Sequence, residues 1–120
     1  MKKVALYGGA FNPPHRGHMA TAITLAERFD EVWIIPSGYR EQKPNTLEVD
    51  PLHRAKMAQI AFGNLPKTYL DLSDARDVFF TQTLQLIRRF AHRGGVWVAV
   101  GTDLVSGGSE GKSEIQSAWY

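Results

Sequence analysis

His15 and His18 stand three residues apart in the stretch Gly-Gly-Ala-Phe-Asn-Pro-Pro-His-Arg-Gly-His, residues 8–18. On a helix, residues at that spacing are neighbours on one face, so both imidazoles would reach the same crevice. Imidazole donates hydrogen bonds to phosphoryl oxygens and can carry charge near neutral pH. Two such rings beside the open amides of a helix N-terminus suit a charged, phosphate-bearing transition state. The pattern is a poor metal site: the stretch holds no carboxylate, and the chain has no cysteine to complete a tetrahedral set. Gly8 and Gly9 would let the backbone approach a ligand closely. Pro13 and Pro14 stiffen the connection, and Gly17 removes a side chain where the helix enters.

Those residues need a strand before them and a helix after them. The run Lys-Lys-Val-Ala-Leu-Tyr-Gly, residues 2–8, reads as a short buried strand that stops at glycine. Residues 18–29 read as a helix, with Met19, Ala22, Ile23, Leu25 and Ala26 recurring at helical spacing. A second apolar strand over 31–38 is closed by Pro36 and Gly38, and a polar loop runs from 39 to 49. Residues 50–63 give the clearest helix: Asp50 caps it, Pro51 suits its first turn, and Gly63 stops it. A short strand is expected over 67–73, a helix over 80–95 with Leu84, Ile87 and Ala91 on one face and a double-glycine stop, and a fourth strand over 96–101.

Short apolar strands alternating with amphipathic helices predict a parallel sheet covered on both faces, an α/β, doubly wound, Rossmann-like fold. In such a sheet ligands bind beyond the carboxyl ends of the strands, which is where Gly8 and Gly9 fall. The expectation is a single domain over residues 1–120, with 105–118 flexible. A doubly wound domain would be expected to continue, so the sheet reads as C-terminally incomplete.

Composition narrows the function class. The 120 residues include 43% hydrophobic side chains, enough for a real core, and the net charge of +2 is too small and too scattered for a nucleic-acid footprint. No apolar run reaches the ~18 residues of a membrane span. The apolar stretch after Met1-Lys2-Lys3 is too short for a signal-peptide core. A cytoplasmic protein without cysteine is the expectation, with neither membrane nor nucleic-acid partners and no metal held by the chain itself.

Residues 9–18 resemble the G-x-F-x-P-x-H-x-G-H signature of the nucleotidylyltransferase superfamily, and are most similar to its nicotinate-nucleotide adenylyltransferase branch. The resemblance runs from Lys3 to about Asp103. It implies a Rossmann-like domain that transfers AMP from ATP to a phosphorylated acceptor, nicotinate mononucleotide, releasing pyrophosphate, with Mg²⁺ as cofactor held mainly by the ATP phosphates. By the resemblance His15 and His18 contact the ATP phosphates, and Gly8, Gly9, Ala10, Phe11 and Gly17 build the nucleotide-binding turn. It also implies that Lys43, with Arg40 as a substitute, reaches the phosphates from the second loop, and that Gly101 and Asp103 line the nucleotide crevice.

On the acceptor side the resemblance implies Arg54, Thr81 and Trp119, the last as a stacking surface for the pyridine ring. Departures are visible. Asn12 stands where the family often has aspartate, Gln42 where a histidine often precedes the lysine, and Phe79-Phe80 in place of serine and tyrosine. The second threonine of the family's S-Y-T-x-x-T-L would fall on Leu84, with Thr83 one residue early, and no I-S-x-T-x-x-R segment is present. Two alternatives stay open: another phosphorylated acceptor such as phosphopantetheine, with adenylyl or cytidylyl transfer, or a nucleotide-binding module without turnover.

Overall fold

A computed structural model of the chain describes residues 1–38, 50–77 and 81–100. Four strands form one sheet: β1 (Lys3–Gly9), β2 (Glu31–Pro36), β3 (Thr68–Leu70) and β4 (Gly95–Ala99). The order is β3-β2-β1-β4 and every pair is parallel. Between the strands lie α1 (Arg16–Arg28), α2 (Pro51–Phe62), the single turn α3 (Ser73–Arg76) and α4 (Thr83–Phe90), the last running into a 3₁₀ turn over Ala91–Arg93. The chain steps outward from β1 to β3, then returns across the sheet to place β4 on the other side of β1. That reversal makes the carboxyl ends of β1 and β4 the switch point of the sheet, the position at which open α/β sheets generally bind ligands.

The strands read as nearly continuous apolar runs because both faces are covered. Ala5, Val32 and Ile34 pack with Ala22 and Ala26 of α1 and Ala58 and Phe62 of α2. Val4, Leu6 and Ile35 pack on the other face with Phe90 of α4. Alanines on the buried stripes of α1 and α2 let those helices sit close to the sheet. The doubly wound arrangement expected from the sequence is therefore present. Among the described residues no helix is long and apolar enough to cross a membrane.

Some boundaries move. The third strand is only Thr68–Leu70, because the Asp71 carboxylate accepts from both the Ser73 amide at 3.1 Å and the Ser73 hydroxyl at 2.6 Å and turns the chain into α3. The last helix begins at Thr83, not at 80, and buries Phe90 with Leu86 packed beside it, while Leu84 is 45% exposed. Only the first glycine of the expected pair ends it. Gly94 has φ +149°, and a Cβ there would collide with the Lys2 carbonyl, whereas Gly95 already pairs with Lys3 in the sheet.

At the amino end of β2 a buried carboxylate ties the sheet to the last helix. Glu31 accepts from Arg93 Nε at 2.6 Å and Nη2 at 3.0 Å, from Trp33 Nε1 at 3.0 Å and from Lys2 Nζ at 3.2 Å. The Arg93 guanidinium, chiefly, holds its carboxyl at about 2, against an ordinary 4.5, although burial pushes the other way. The folded-state value lies below the unfolded one. The stabilisation is therefore complete above about pH 4.5 and is lost as pH falls toward 2. Glu31→Gln is expected to cost ~1–3 kcal/mol near neutrality, since Arg93 can turn to water. In urea titrations at stepped pH, that difference from the unaltered protein should shrink steadily between pH 4.5 and 2. A difference constant over this window would remove the ion pair as its cause.

Candidate active site

The turn after β1 is pinned by an aromatic anchor. Phe11 has φ +48° and is buried, its ring edge-on to Tyr7 at 5.4 Å, to His18 at 5.1 Å and to Phe62 at 5.3 Å. Phe11 thus holds the turn after β1 from below and spans β1, α1 and α2. A Cβ on Gly9 would come within 3.3 Å of that ring, which is the local reason for a glycine there. Ala10 presents its carbonyl inward, 2.8 Å from Arg54 Nη1.

The two histidines do more than share a face. His15 is the N-cap of α1: its Nδ1 accepts from the Gly17 amide at 3.0 Å and the His18 amide at 3.4 Å. His18 returns the bond, its Nδ1 accepting from the His15 amide at 3.0 Å. This is a capping box with imidazoles in the places usually held by Ser or Thr and by Glu or Gln. The rings stack at 3.7 Å between centroids, 20° from parallel. Because each Nδ1 is an acceptor, the proton of each neutral ring sits on Nε2. Two Nε2–H donors are thereby presented side by side at the carboxyl end of β1, His15 exposed and His18 half-buried.

Burial pushes His18 below its ordinary 6.5, and the neighbouring charge of His15 pushes the same way. Both effects favour the neutral, donating form of His18 over the imidazolium considered from sequence. A second expectation also changes. The amides of Gly17 and His18, expected to face an anion directly, are taken by His15, so the α1 terminus presents imidazole protons in their place.

Arg54 and Thr81, expected on the acceptor side, are both buried. The Arg54 guanidinium donates to the carbonyls of Ala10, Ser37 and Gly38, so it faces two backbone turns. Thr81 donates from its amide and hydroxyl to the two oxygens of Asp74, at 3.0 and 2.8 Å, and its hydroxyl accepts from Arg89 Nη2 at 2.9 Å. Arg89 also pairs with Asp71 at 3.0 Å. The hydroxyl is thus engaged in anchoring the segment that leads into α4. Lys43, Arg40, Gly101, Asp103 and Trp119 lie outside the described residues. A separate cleft of about 590 Å³ between α2 and α3 includes Trp33, Lys56, Asp71 and Arg76 in its lining, and none of the expected site residues among those described.

Among the described residues no group of three His, Cys, Asp or Glu converges to hold a metal ion. The described donor set is one of N–H groups, which fits an anion. Mg²⁺ prefers oxygen ligands and commonly binds through substrate phosphates, so these residues accommodate a metal that arrives on a polyphosphate.

A family model described as cytidylyltransferase-like matches residues 6–118. A probable nicotinate-nucleotide adenylyltransferase of Albidiferax ferrireducens is 34% identical over 122 residues, covering 100% of this chain and 59% of that protein. The nicotinate-nucleotide adenylyltransferase of Bacillus subtilis is 28% identical over 125 residues, covering 100% and 62%. Among solved structures, the Plasmodium falciparum nicotinic acid mononucleotide adenylyltransferase complexed with NaAD superposes with a TM-score of 0.73 at 21% identity, over 89% of this chain and 55% of that one, a likeness of fold. The chain spans roughly three-fifths of the length of these two curated relatives.

Proposed function

The chain belongs to the cytidylyltransferase-like family, and from that premise we propose that the protein transfers AMP from ATP to a phosphorylated acceptor, nicotinate mononucleotide. The observation that carries this reading is the pair of stacked imidazoles whose Nδ1 atoms cap α1 and whose Nε2 protons are left for a ligand. The names of the relatives favour adenylyl over cytidylyl transfer and supply the acceptor.

The chemistry asks for such a site. The acceptor is a phosphate monoester with a second pKa of ~6, so it is already mostly a dianion and no base is needed. Its oxygen attacks the α-phosphorus of ATP. The new P–O bond forms as the bond from that phosphorus to the bridging oxygen breaks, and pyrophosphate leaves with the electron pair. The protein's task is to hold two anions in line and to meet the charge that develops. His15 and His18 donate from Nε2 to phosphoryl oxygens, and Lys43 adds a cation from the loop after β2. Gly8, Gly9 and Ala10 let the nucleotide lie close to the β1 turn, with Gly101 and Asp103 on its other side and Trp119 stacking on the pyridine ring. Mg²⁺ carried on the triphosphate would neutralise part of its charge.

The direct test is pyrophosphate release from ATP and Mg²⁺ with nicotinate mononucleotide, and with phosphopantetheine in parallel. Release with the pyridine nucleotide alone is the expected result. Release only with the other acceptor would replace the acceptor, and ATP binding without release from any acceptor would leave a nucleotide-binding module.

A further inference from the structure

We infer that Arg54 is a positioning residue that sets the spacing between the two strand-exit turns, at Ala10 and at Ser37–Gly38, that precede the residues proposed to bind phosphate. The inference rests on the proposed reaction for its consequence, but not for its geometry.

Arg54 is 1% exposed, among the largest fully buried side chains of the described residues. Burying a guanidinium is costly unless its donors meet acceptors. Here Nη1 donates to the carbonyls of Ala10 and Ser37, both at 2.8 Å, and Nη2 to the carbonyl of Gly38 at 3.0 Å. These short charge-assisted bonds run from a rigid planar fork, so they fix direction as well as distance. The fork is itself held firmly. It rides on the first turn of α2, which the Asp50 side chain caps through the Leu52 amide at 2.8 Å and Pro51 begins.

What the fork holds gives the placement its meaning. Ala10 lies five residues before His15, and Gly38 lies five residues before Lys43. One side chain therefore grips the two turns that precede, in sequence, the residues assigned to the proposed triphosphate site. Peptide planarity extends the grip: fixing the Ala10 carbonyl also fixes the direction of the Phe11 amide, and fixing Ser37 does the same for Gly38. The two turns already share a bond, from the Ser37 amide to the Gly9 carbonyl at 2.9 Å. Arg54 adds a brace on the side of α2. A shift of about 1 Å between groups that must act on one transition state can cost on the order of a hundredfold in rate.

The test uses Arg54→Lys, which keeps the charge but not the fork, and Arg54→Gln, which removes the buried charge. Two readouts are taken well below the melting temperature of each variant. Amide hydrogen exchange at Ser37, whose N–H donates to the Gly9 carbonyl across the two turns, is expected to quicken at least about tenfold, while exchange at Ala5 and Leu6 inside β1 stays unchanged. The kcat for pyrophosphate release at saturating ATP is expected to fall at least about tenfold. Unchanged exchange at Ser37, or an equal rise along β1, would overturn the inference. So would full kcat in a folded variant of lowered melting temperature, or failure of both variants to fold, since each points to a purely structural role. If the unaltered protein releases no pyrophosphate, the proposed reaction fails by itself, and the exchange measurement still decides the role of Arg54.

Discussion

His18→Ala is expected to lower the kcat for pyrophosphate release by ~10²–10³-fold, with a much smaller change in the KM for ATP. The reason is that a donor aimed at a phosphoryl oxygen gains most where charge accumulates, in the transition state. The same substitution removes the acceptor for the His15 amide, so α1 loses half of its capping box. That loss is worth ~1 kcal/mol and could be mistaken for the cause of the defect. His18→Gln separates the two. Glutamine at this position of a capping box can accept from the His15 amide, but it offers no ring proton where Nε2–H stood. Thermal stability should return to near that of the unaltered protein while the rate stays low. A glutamine variant with restored rate would show that His18 serves only as a cap. A variant that loses ATP binding but keeps its full rate at saturation would contradict the transition-state role.

Gly17→Ala gives the second large effect, and its sign runs against ordinary helix chemistry. Alanine in place of glycine on a helix usually stabilises, by ~1 kcal/mol. Here a Cβ would stand 2.9 Å from His15 Cε1 and 3.1 Å from its Nδ1, inside the contact distance of the ring that caps the helix. The backbone can keep its helical conformation, so the imidazole has to move. The expected outcome is a melting temperature nearly unchanged together with a fall of ~10–100-fold in kcat/KM. Imidazole ¹⁵N spectra should show His15 losing its fixed Nε2–H tautomer. Full activity, with the tautomer unchanged, would mean that the His15 ring tolerates the added methyl group and that its position is not critical.

The fold was legible because its signals are local. Runs such as Val4 to Tyr7 and Val32 to Ile35 announce buried strands, and Asp50-Pro51 announces the start of α2. The site was legible in its residue types but not in its wiring. The His-x-x-His spacing is also that of a capping box, from the N-cap to the third helical residue, and that second meaning could have been read from the sequence. The partners of Arg54 could not. They lie 44, 17 and 16 residues away, and only the return of β2 beside β1 brings them to one point. Thr81 is similar, since the carboxylate that takes its hydroxyl belongs to α3, a turn whose four residues carry no helical periodicity. The strand read over 67–73 was too long because apolar alternation does not register a side-chain turn such as that between Asp71 and Ser73.

The strand order carries a consequence for how the chain is assembled as it is synthesised. β1 is made first, yet the neighbour on its far side, β4, is made some ninety residues later. Until Phe90 and Val96 arrive, Val4, Leu6 and Ile35 have one apolar face with nothing on it. A nascent chain ending after β3 should therefore expose an adhesive apolar face. Such late closure of a long-range pairing is intrinsically slow.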